Sequence, residues 1–438
     1  MHKIKEHIEN IIKACIHCGI CLPACPTYQV TGNEGHSPRG RIYQINDLIR
    51  GESQPQDQER IKYLDGCLSC LGCQTVCPSD VQYQNIIEFA RDELQECNYD
   101  KGPFGLIRKL AFKYLLPNRN LLNFGRVAYK ITNAIIPIHK LLKPSPRFEH
   151  KYKAIKTNFI YKSSVDIILS ERSEREDPDY QKISERPTVT LPLGCVMDTV
   201  YNDVHWDTIK VLNAFGYDVY IPESNCCGAL AYHSHEEKIG LEQLHETEKI
   251  LETKNYPIIS NSAGCGAFMK GHSELKVMDL VEALNCAPLK AEDVILSPQS
   301  GRKDPEPPKF YSKLDHHVAN APHDDVAVYH PACHLNHLQG IAYDYLHYLK
   351  LIPGLELKEL YEADLCCGSA GFYNLIESEM AEAIGKRKAE NIKNTQAKLV
   401  ITANPGCMSQ IQTYLGNEYQ VVHPVTVLAI FLDSQALT

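Results

Sequence analysis

Two cysteine runs near the start of the chain constrain its fold and chemistry more than any other feature. They are Cys15, Cys18, Cys21 and Cys25 followed by Pro26, and Cys67, Cys70, Cys73 and Cys77 followed by Pro78. Each is a complete CxxCxxCxxxCP run, the pattern by which bacterial ferredoxins hold 4Fe-4S clusters. Zinc also accepts four thiolates, but its sites usually show two CxxC pairs instead of two complete runs. The sequence therefore predicts two 4Fe-4S clusters.

The spacing also predicts which cysteines share a cluster. Three thiolates two residues apart can wrap one cube, while the fourth, set off by proline, reaches across to the other cube. The predicted ligands are Cys15, Cys18, Cys21 and Cys77 for the first cluster, and Cys67, Cys70, Cys73 and Cys25 for the second.

Paired clusters of this kind carry one electron each and together form a path for electrons. The chain shows no GxGxxG fingerprint between a strand and a helix and no Walker loop, and the segment 264–271 follows a strand but has the wrong glycine spacing. We therefore expect an electron-transfer subunit with no catalytic residue of its own. The flavin or other two-electron site is expected on another subunit.

An internal repeat is the second informative feature. Cys195, the pair Cys226–Cys227 before Gly228, and Cys265 recur as Cys333, the pair Cys366–Cys367 before Gly368, and Cys407. Four cysteines per repeat could hold a further cluster, a zinc ion or a redox pair, or they could be buried thiols that pack as small apolar side chains. Cys97 and Cys286 fit no pattern and are predicted to be structural.

Strand-like and helical stretches alternate within each repeat. Such alternation predicts parallel α/β sheets with the cysteines at the carboxyl ends of the strands. We expect an α+β multidomain chain whose two cysteine-rich modules follow a helical two-cluster domain. The predicted ranges are 1–100 for that domain, 101–165 for a basic amphipathic connector, and 186–296 and 325–438 for the modules. Polar linkers are expected at 171–187 and 297–325.

The connector differs in charge from the rest of the chain. The chain as a whole has a net charge of −9, whereas residues 101–156 contain thirteen Lys and Arg against the single acid Glu149. Interleaved leucines would suit helices on an anionic membrane surface or an acidic partner, and the alternative is a linker with a solvated basic face. The chain starts without an apolar leader and has no apolar run of ~18 residues. We expect a cytoplasmic protein, peripheral on the inner membrane if the connector docks there, with no nucleic-acid partner.

Other polar residues beside the cysteines are weaker candidates. His330, His334 and His337 flank Cys333 and are interpreted as local polar residues, because the first repeat has no matching histidines. Arg39 and Arg41 lie between the two cysteine runs. Either arginine could raise a cluster potential, or both could simply stabilise the fold.

Taken in order, these motifs resemble a known family. The ferredoxin pair, the segment SPRGRI between its two runs, the basic connector and two Cys-Cys-Gly modules are similar to the iron-sulfur subunits of bacterial glycolate oxidases. The resemblance covers nearly the whole chain. The wider superfamily includes heterodisulfide reductase subunits and the iron-sulfur subunits of lactate and glycerol-3-phosphate dehydrogenases.

The resemblance implies that FAD-containing partner subunits oxidise glycolate to glyoxylate, an oxidation at CH–OH, and that this subunit passes the electrons toward the respiratory chain. One departure concerns the modules, because Phe268 and Gln410 stand where a heterodisulfide reductase pattern would end each module in CxxC. A four-cysteine site per module remains open. The alternative hypotheses are a thiol–disulfide subunit acting at the modules, the iron-sulfur subunit of a lactate or glycerol-3-phosphate dehydrogenase, and a redox sensor or scaffold without turnover.

Overall fold

A computed structural model gives the fold of the chain. It describes residues 2–52, 57–96, 103–115, 117–118, 186–223, 226–234, 236–295 and 325–436. A helical N-terminal region is followed by two modules, each built on a parallel sheet. This α+β multidomain architecture is the predicted one. Most of the basic connector and of the two polar linkers, with Cys97, lies outside the described residues.

The N-terminal region is a small helical domain around the two cysteine runs. Its helices span His2–Lys13, Pro26–Thr31, Pro38–Arg50, Gln58–Asp65, Gly72–Thr75 and Tyr83–Glu96. Ser37 caps the third helix by accepting a hydrogen bond from Gly40 N, and Pro38 occupies its first turn, where no backbone donor is needed. Apolar faces of these helices, including Ile45, Leu64 and Ile86, form a common core beside the cysteines.

Each module contains a four-stranded parallel sheet with the same strand order. In the first, strands β1 (Thr188–Thr190), β2 (Asp218–Tyr220), β3 (Ile258–Ser260) and β4 (Val277–Asp279) are ordered β2-β1-β3-β4. In the second, strands β5 (Asp325–Tyr329), β6 (Leu355–Lys358), β7 (Leu399–Ile401) and β8 (Gln420–Val422) are ordered β6-β5-β7-β8. The order of connections reverses between the two central strands, and ligands bind at the carboxyl side of such a switch point.

Helices connect the strands and bury their apolar faces on the sheets. In the first module they span Val196–Val200, Asn202–Ala214, Ala229–Tyr232, Glu237–Leu251, Ala263–His272, Leu280–Asn285 and Ala291–Ile295. In the second they span Tyr345–Lys350, Tyr373–Ile376, Ser378–Asn394, Pro405–Leu415 and Pro424–Ala436, with a π-helical turn at His334–Gln339. One apolar core runs through both modules and includes Val211, Phe215, Val400 and Leu428. The modules therefore fold as a joined pair.

The N-terminal domain contacts the first module where the side chains of Asp92 and Glu237 share a hydrogen bond, and it contacts the second module at two further hydrogen bonds. Tyr373 donates a hydrogen bond to Gly66 O at 3.1 Å, and Arg387 donates one to Gln29 O at 3.1 Å. The start of the connector forms a helix at Pro103–Leu110 and a π-helical turn at Ala111–Leu115. Among the described helices, none is both long enough and apolar enough to cross a membrane.

Candidate metal centres

The cysteines of the two ferredoxin runs line two neighbouring cavities. The first cavity is lined by Cys15, Cys18, Cys21 and Cys77, together with Cys73. The second is lined by Cys25, Cys67, Cys70 and Cys73. Apart from Cys73, which lines both cavities, this division follows the two interleaved sets predicted from the spacing. Four sulfur donors around one small space are the donor set that a 4Fe-4S cluster requires, so the residues fit the group.

Two buried or nearly buried arginines supply positive charge at the second cavity. Arg41 Nη1 lies 3.9 Å from Cys25 Sγ, and Arg91 Nη2 donates a hydrogen bond to Cys67 O at 2.6 Å. Burial raises the pKa of Cys67, but the charges of Arg41 and Arg91 outweigh it and hold that pKa below its ordinary value. The thiolate, the form that binds iron, is therefore favoured at Cys67.

The two arginines of SPRGR have different surroundings. Arg39 forms an ion pair with Glu34 on the surface and donates a hydrogen bond to His17 O at 3.3 Å. Arg41 is only 1% exposed and bonds to Tyr63 O at 2.7 Å. Arg39 thus lines the first cavity from its exposed side, while Arg41 is buried at the second cavity.

In the first module, the four repeat cysteines come together from three loops. Cys195 follows β1, the Cys226–Cys227 pair follows β2, and Cys265 lies in the first turn of the helix after β3. The Sγ atoms of Cys195 and Cys226 are 3.2 Å apart, and Cys227 interacts with both Cys226 and Cys265. The predicted position at the carboxyl ends of parallel strands is observed.

The second module repeats this arrangement and adds a histidine. Cys333 follows β5, the Cys366–Cys367 pair follows β6, and Cys407 lies in the first turn after β7; all four are buried. A hydrogen bond to Cys366, together with burial, raises the pKa of Cys333 well above its ordinary value. The ligand atoms of His330, Cys367 and Cys407 all lie within 4.8 Å of one another. Thiolate and imidazole groups at this separation are the donor types that soft and borderline metal ions prefer.

The glycine after each cysteine pair makes this geometry accessible. Gly228 has φ +90° and Gly368 has φ +87°, conformations that side chains with a Cβ rarely adopt. A Cβ on Gly228 would also lie 2.0 Å from Gly240 O. The Cys-Cys-Gly sequence therefore encodes a turn that places both sulfurs beside the other two cysteines.

The second cavity and the second module are in direct contact. Leu68, Cys333 and Cys366 belong to one buried apolar cluster, and Cys70 packs against it. The charges of Cys70 and Cys333 interact closely enough to raise the pKa of Cys70 further above the value that burial alone gives. The second ferredoxin site and the cysteines of the second module therefore lie next to each other.

The histidines near Cys333 have specific contacts that their sequence positions did not reveal. His334 Nδ1 lies 3.4 Å from Cys333 Sγ, and His337 Nδ1 lies 3.0 Å from Thr75 Oγ1 in the N-terminal domain. The interpretation as local polar residues is therefore too limited. Only the position of His330 directly after β5 could have indicated a role, since strand ends in these sheets carry ligands.

The remaining candidate positions lie apart from these centres. Cys286 is exposed, just after the helix Leu280–Asn285. Phe268 packs on the ring of Tyr232 at a centroid distance of 5.0 Å, and Gln410 donates a hydrogen bond to Ala381 O at 3.1 Å. These two residues fill with structural contacts the positions at which a CxxC ending would have placed a further cysteine.

The chain is similar to known iron-sulfur proteins, both in its domains and over its whole length. The model of a 4Fe-4S dicluster domain matches residues 11–81, and the model of a cysteine-rich domain matches residues 189–270 and 327–412. The probable glycolate oxidase iron-sulfur subunit of Bacillus subtilis is 32% identical over 428 residues, which are 95% of this chain and 92% of the relative. The glycolate oxidase iron-sulfur subunit of Escherichia coli is 27% identical over 92% of this chain and 90% of its own length.

A shorter relative matches part of the chain. Lactate utilization protein A 1 of Bacillus anthracis is 28% identical over 55% of this chain and 97% of its own length. The two glycolate oxidase subunits, by contrast, match across the N-terminal domain and both modules. The chain therefore belongs to the family of glycolate oxidase iron-sulfur subunits.

Proposed function

We propose that this chain is the electron-transfer subunit of a flavin-linked 2-hydroxy-acid dehydrogenase that oxidises glycolate to glyoxylate. FAD-containing partner subunits would carry out the oxidation, and this chain would pass the electrons toward the respiratory chain. The observation that carries the proposal is the placement of eight ferredoxin cysteines around two adjacent cavities. The names of the full-length relatives support glycolate as the substrate.

The proposed ligands are the two interleaved cysteine sets, and the clusters they hold would supply one-electron redox chemistry. The exposure of the cysteines supports an order for the two sites. Cys18 is exposed, so the first site is open to a partner, whereas Cys25 and Cys67 are buried. We therefore assign electron entry to the first site and onward transfer to the second site, beside the second module.

A further metal centre in the second module is part of this proposal. Its four cysteines are all buried, while Cys195 and Cys265 of the first module are partly exposed. The approach of His330 to Cys367 and Cys407 occurs in the second module. Together with the contact to Cys70, these observations favour the second module as the site of an additional cluster or metal ion.

Substrate-dependent reduction tests the proposed function. The full chain is purified anaerobically with the flavoprotein subunits encoded beside it, and EPR spectra are recorded after addition of glycolate, lactate or glycerol 3-phosphate. Glycolate should give reduced-cluster signals, which Cys70→Ser should weaken and the exposed control Cys286→Ser should leave intact. Clusters that are reduced by lactate or by glycerol 3-phosphate, but not by glycolate, would identify a different dehydrogenase. Reduction by none of the three substrates would contradict the proposal.

Metal content tests the second module separately. Iron and acid-labile sulfide per chain are compared for wild type, Cys366→Ser and Cys226→Ser. About eight irons in all three proteins would mean that the ferredoxin pair is the whole electron path. A higher content that falls only in Cys366→Ser would support the second module as a centre. Loss of a disulfide-reducing activity in these variants would instead support the thiol–disulfide alternative.

A further inference from the structure

The two ferredoxin runs place the same motif position in opposite environments. Ile16 follows the first cysteine of the first run and is 69% exposed, whereas Leu68, at the same position of the second run, is 5% exposed. Leu68 is covered by the second module, because it shares one apolar cluster with Cys333 and Cys366. The second site is therefore closed by a neighbouring domain, and the first site presents the corresponding side chain to solvent.

Further large apolar side chains are exposed beside the first site. Ile20 precedes Cys21 and Val76 precedes Cys77, and both cysteines are proposed ligands of the first cluster. Ile20 is 52% exposed and Val76 is 40% exposed. Single exposed apolar side chains are common on protein surfaces, but a group of them usually marks an interaction site. Together with Ile16, these residues place such a group around one cluster site.

A shallow groove of about 410 Å³, open to solvent, adjoins the first cavity. His17 and Arg39 line both spaces. Tyr43 lines the groove, is 62% exposed and lies one helical turn after Arg39 on the helix Pro38–Arg50. Aromatic side chains of this kind are enriched at the centres of protein interfaces. We call the four exposed apolar and aromatic residues of this surface the first-cluster face: Ile16, Ile20, Tyr43 and Val76.

Local contacts hold the first-cluster face in shape before a partner binds. Arg39 donates a hydrogen bond to His17 O at 3.3 Å and forms an ion pair with Glu34. Gly19 has φ +83°, and a Cβ at this position would lie 2.8 Å from Arg39 Nη1. Glycine therefore allows the guanidinium to lie against the cysteine loop. A surface that is ordered in advance loses little conformational entropy on binding.

The charges around the face limit what can bind there. Among the described residues that line the cavity and the groove, Arg39 is the one Lys or Arg and Glu34 the one acid, and they pair with each other. An anionic membrane attracts unpaired basic side chains, so it is poorly matched to this lining. A 4Fe-4S cluster with four thiolate ligands carries negative charge, so a second copy of the chain would bring two like charges together. The face fits a different protein with an apolar contact surface.

The position of Cys18 indicates what that protein does. Cys18 is an exposed proposed ligand of the first cluster and lines the same cavity as Ile16 and His17. A protein bound over this face would approach the cluster across a single ligand. The second site offers no comparable approach at Cys25, Cys67 or Cys73, which are all buried.

We propose that the first-cluster face is the docking surface for the flavin-carrying subunit that delivers electrons to this chain. The proposal rests on the proposed electron-transfer function and adds the surface through which that function is carried out. The partner covers Ile16 as the second module covers Leu68, and Tyr43 inserts into its contact surface. Binding thus completes around the first site the apolar cover that the second site has within the chain.

Equilibrium association of the anaerobically purified full chain with the flavoprotein subunits encoded beside it tests this inference. The variants are Tyr43→Ala and Ile16→Ser, with Tyr361→Ala as a matched control at a tyrosine that is 73% exposed on the second module. Wild type and Tyr361→Ala should bind with the same Kd. Each face variant should bind at least about tenfold more weakly, as expected for an anchor at the centre of an interface.

Iron content and the EPR spectrum after reduction by dithionite should be equal in all four proteins, which shows that the clusters are intact. Tyr43 is not adjacent to any cysteine of the two runs, so Tyr43→Ala separates docking from cluster assembly. Equal Kd values in the face variants and the control would overturn the inference, as would absence of association with wild type. A dimer of this chain alone that Tyr43→Ala abolishes would assign the face to a second copy and would also overturn it.

The glycolate-dependent EPR signal distinguishes failure of this inference from failure of the proposed function. A normal signal in wild type, together with unchanged Kd values in the face variants, would reject the docking surface alone. Association that the face variants weaken would support the docking surface even if glycolate reduced no cluster.

Discussion

The charge of Arg41 should set the potential of the second cluster. This guanidinium is 1% exposed, donates to Tyr63 O at 2.7 Å and to Thr27 Oγ1 at 3.1 Å, and lies 3.9 Å from Cys25 Sγ. Because arginine stays protonated in proteins, the positive charge is permanent. A reduced cluster carries one more negative charge than an oxidised one, so Arg41 stabilises the reduced form. Replacing Arg41 by glutamine should therefore lower the potential.

The contact distance bounds the size of this effect. Two unit charges 3.9 Å apart interact by about 4 kcal/mol at an effective dielectric constant of ~20. The added electron is spread over atoms farther away than the sulfur, so we take about half of this value, ~2 kcal/mol. For a one-electron couple, 59 mV corresponds to ~1.4 kcal/mol, and the expected shift is on the order of −90 mV.

The assay is an EPR-monitored redox titration of the full chain. Arg41→Gln should lower one of the two ferredoxin-cluster potentials by on the order of 90 mV and leave the other nearly unchanged. Arg41→Lys keeps the charge and should shift that potential by less than half as much. Arg39→Gln, at the exposed ion pair with Glu34, is the matched control and should have little effect because solvent screens it.

Two results would refute this reasoning. Potentials in folded, fully iron-loaded Arg41→Gln that stay within ~20 mV of wild type would show that the charge does not act on the cluster. An equal shift in Arg41→Gln and Arg41→Lys would assign the effect to the lost hydrogen bonds with Tyr63 and Thr27, independent of charge.

Two further predictions concern the modules. Gly228→Ala should lower the free energy of unfolding by more than ~3 kcal/mol, because the added Cβ would meet Gly240 O at 2.0 Å. The control Gly271→Ala, whose Cβ would meet nothing within 4 Å, should leave the midpoint of thermal unfolding unchanged or raise it. Equal midpoints for the two variants would contradict this prediction. Burial raises the pKa of Asp279, which accepts a hydrogen bond from Tyr345, from 3.8 to about 6. The folded state thus holds a proton that the unfolded state releases, and stability falls as pH rises from about 4 to 6. Asp279→Asn should reduce the difference in the free energy of unfolding between pH 5 and pH 7, measured by urea titration, by about 1–3 kcal/mol. The same difference in wild type and variant would contradict this prediction.

The sequence alone was sufficient for the fold class, and it predicted which cysteines form the main centres. Four cysteines at fixed spacing before a proline can approach one another only in a few ways, so the runs at 15–25 and 67–77 predicted two neighbouring sites. The repeat of Cys-Cys-Gly after strand-like stretches predicted parallel sheets with sulfur at their carboxyl ends, and both sheets have that form. These predictions rest on contacts between residues close in sequence or on the regular geometry of strands.

Tertiary structure decided what the local pattern left open. Arg39 and Arg41 are two residues apart on one helix, so at about 100° per residue their side chains point in nearly opposite directions. Which cavity each arginine lines, and whether its charge is buried there, depends on how the helix Pro38–Arg50 packs. Only Arg41 is buried against the second cavity.

The same limit applies to the small cavity at the junction of the N-terminal domain and the two modules. Arg91, His233 and His334 are separated by more than a hundred residues along the chain, and each has an ordinary local sequence. They meet because the N-terminal domain docks where the two modules join. The sequence determined the chemistry of the cysteines through short-range spacing. The positions of the charged and histidine side chains around them depend on packing between residues far apart in sequence, which the local spacing of residues does not predict.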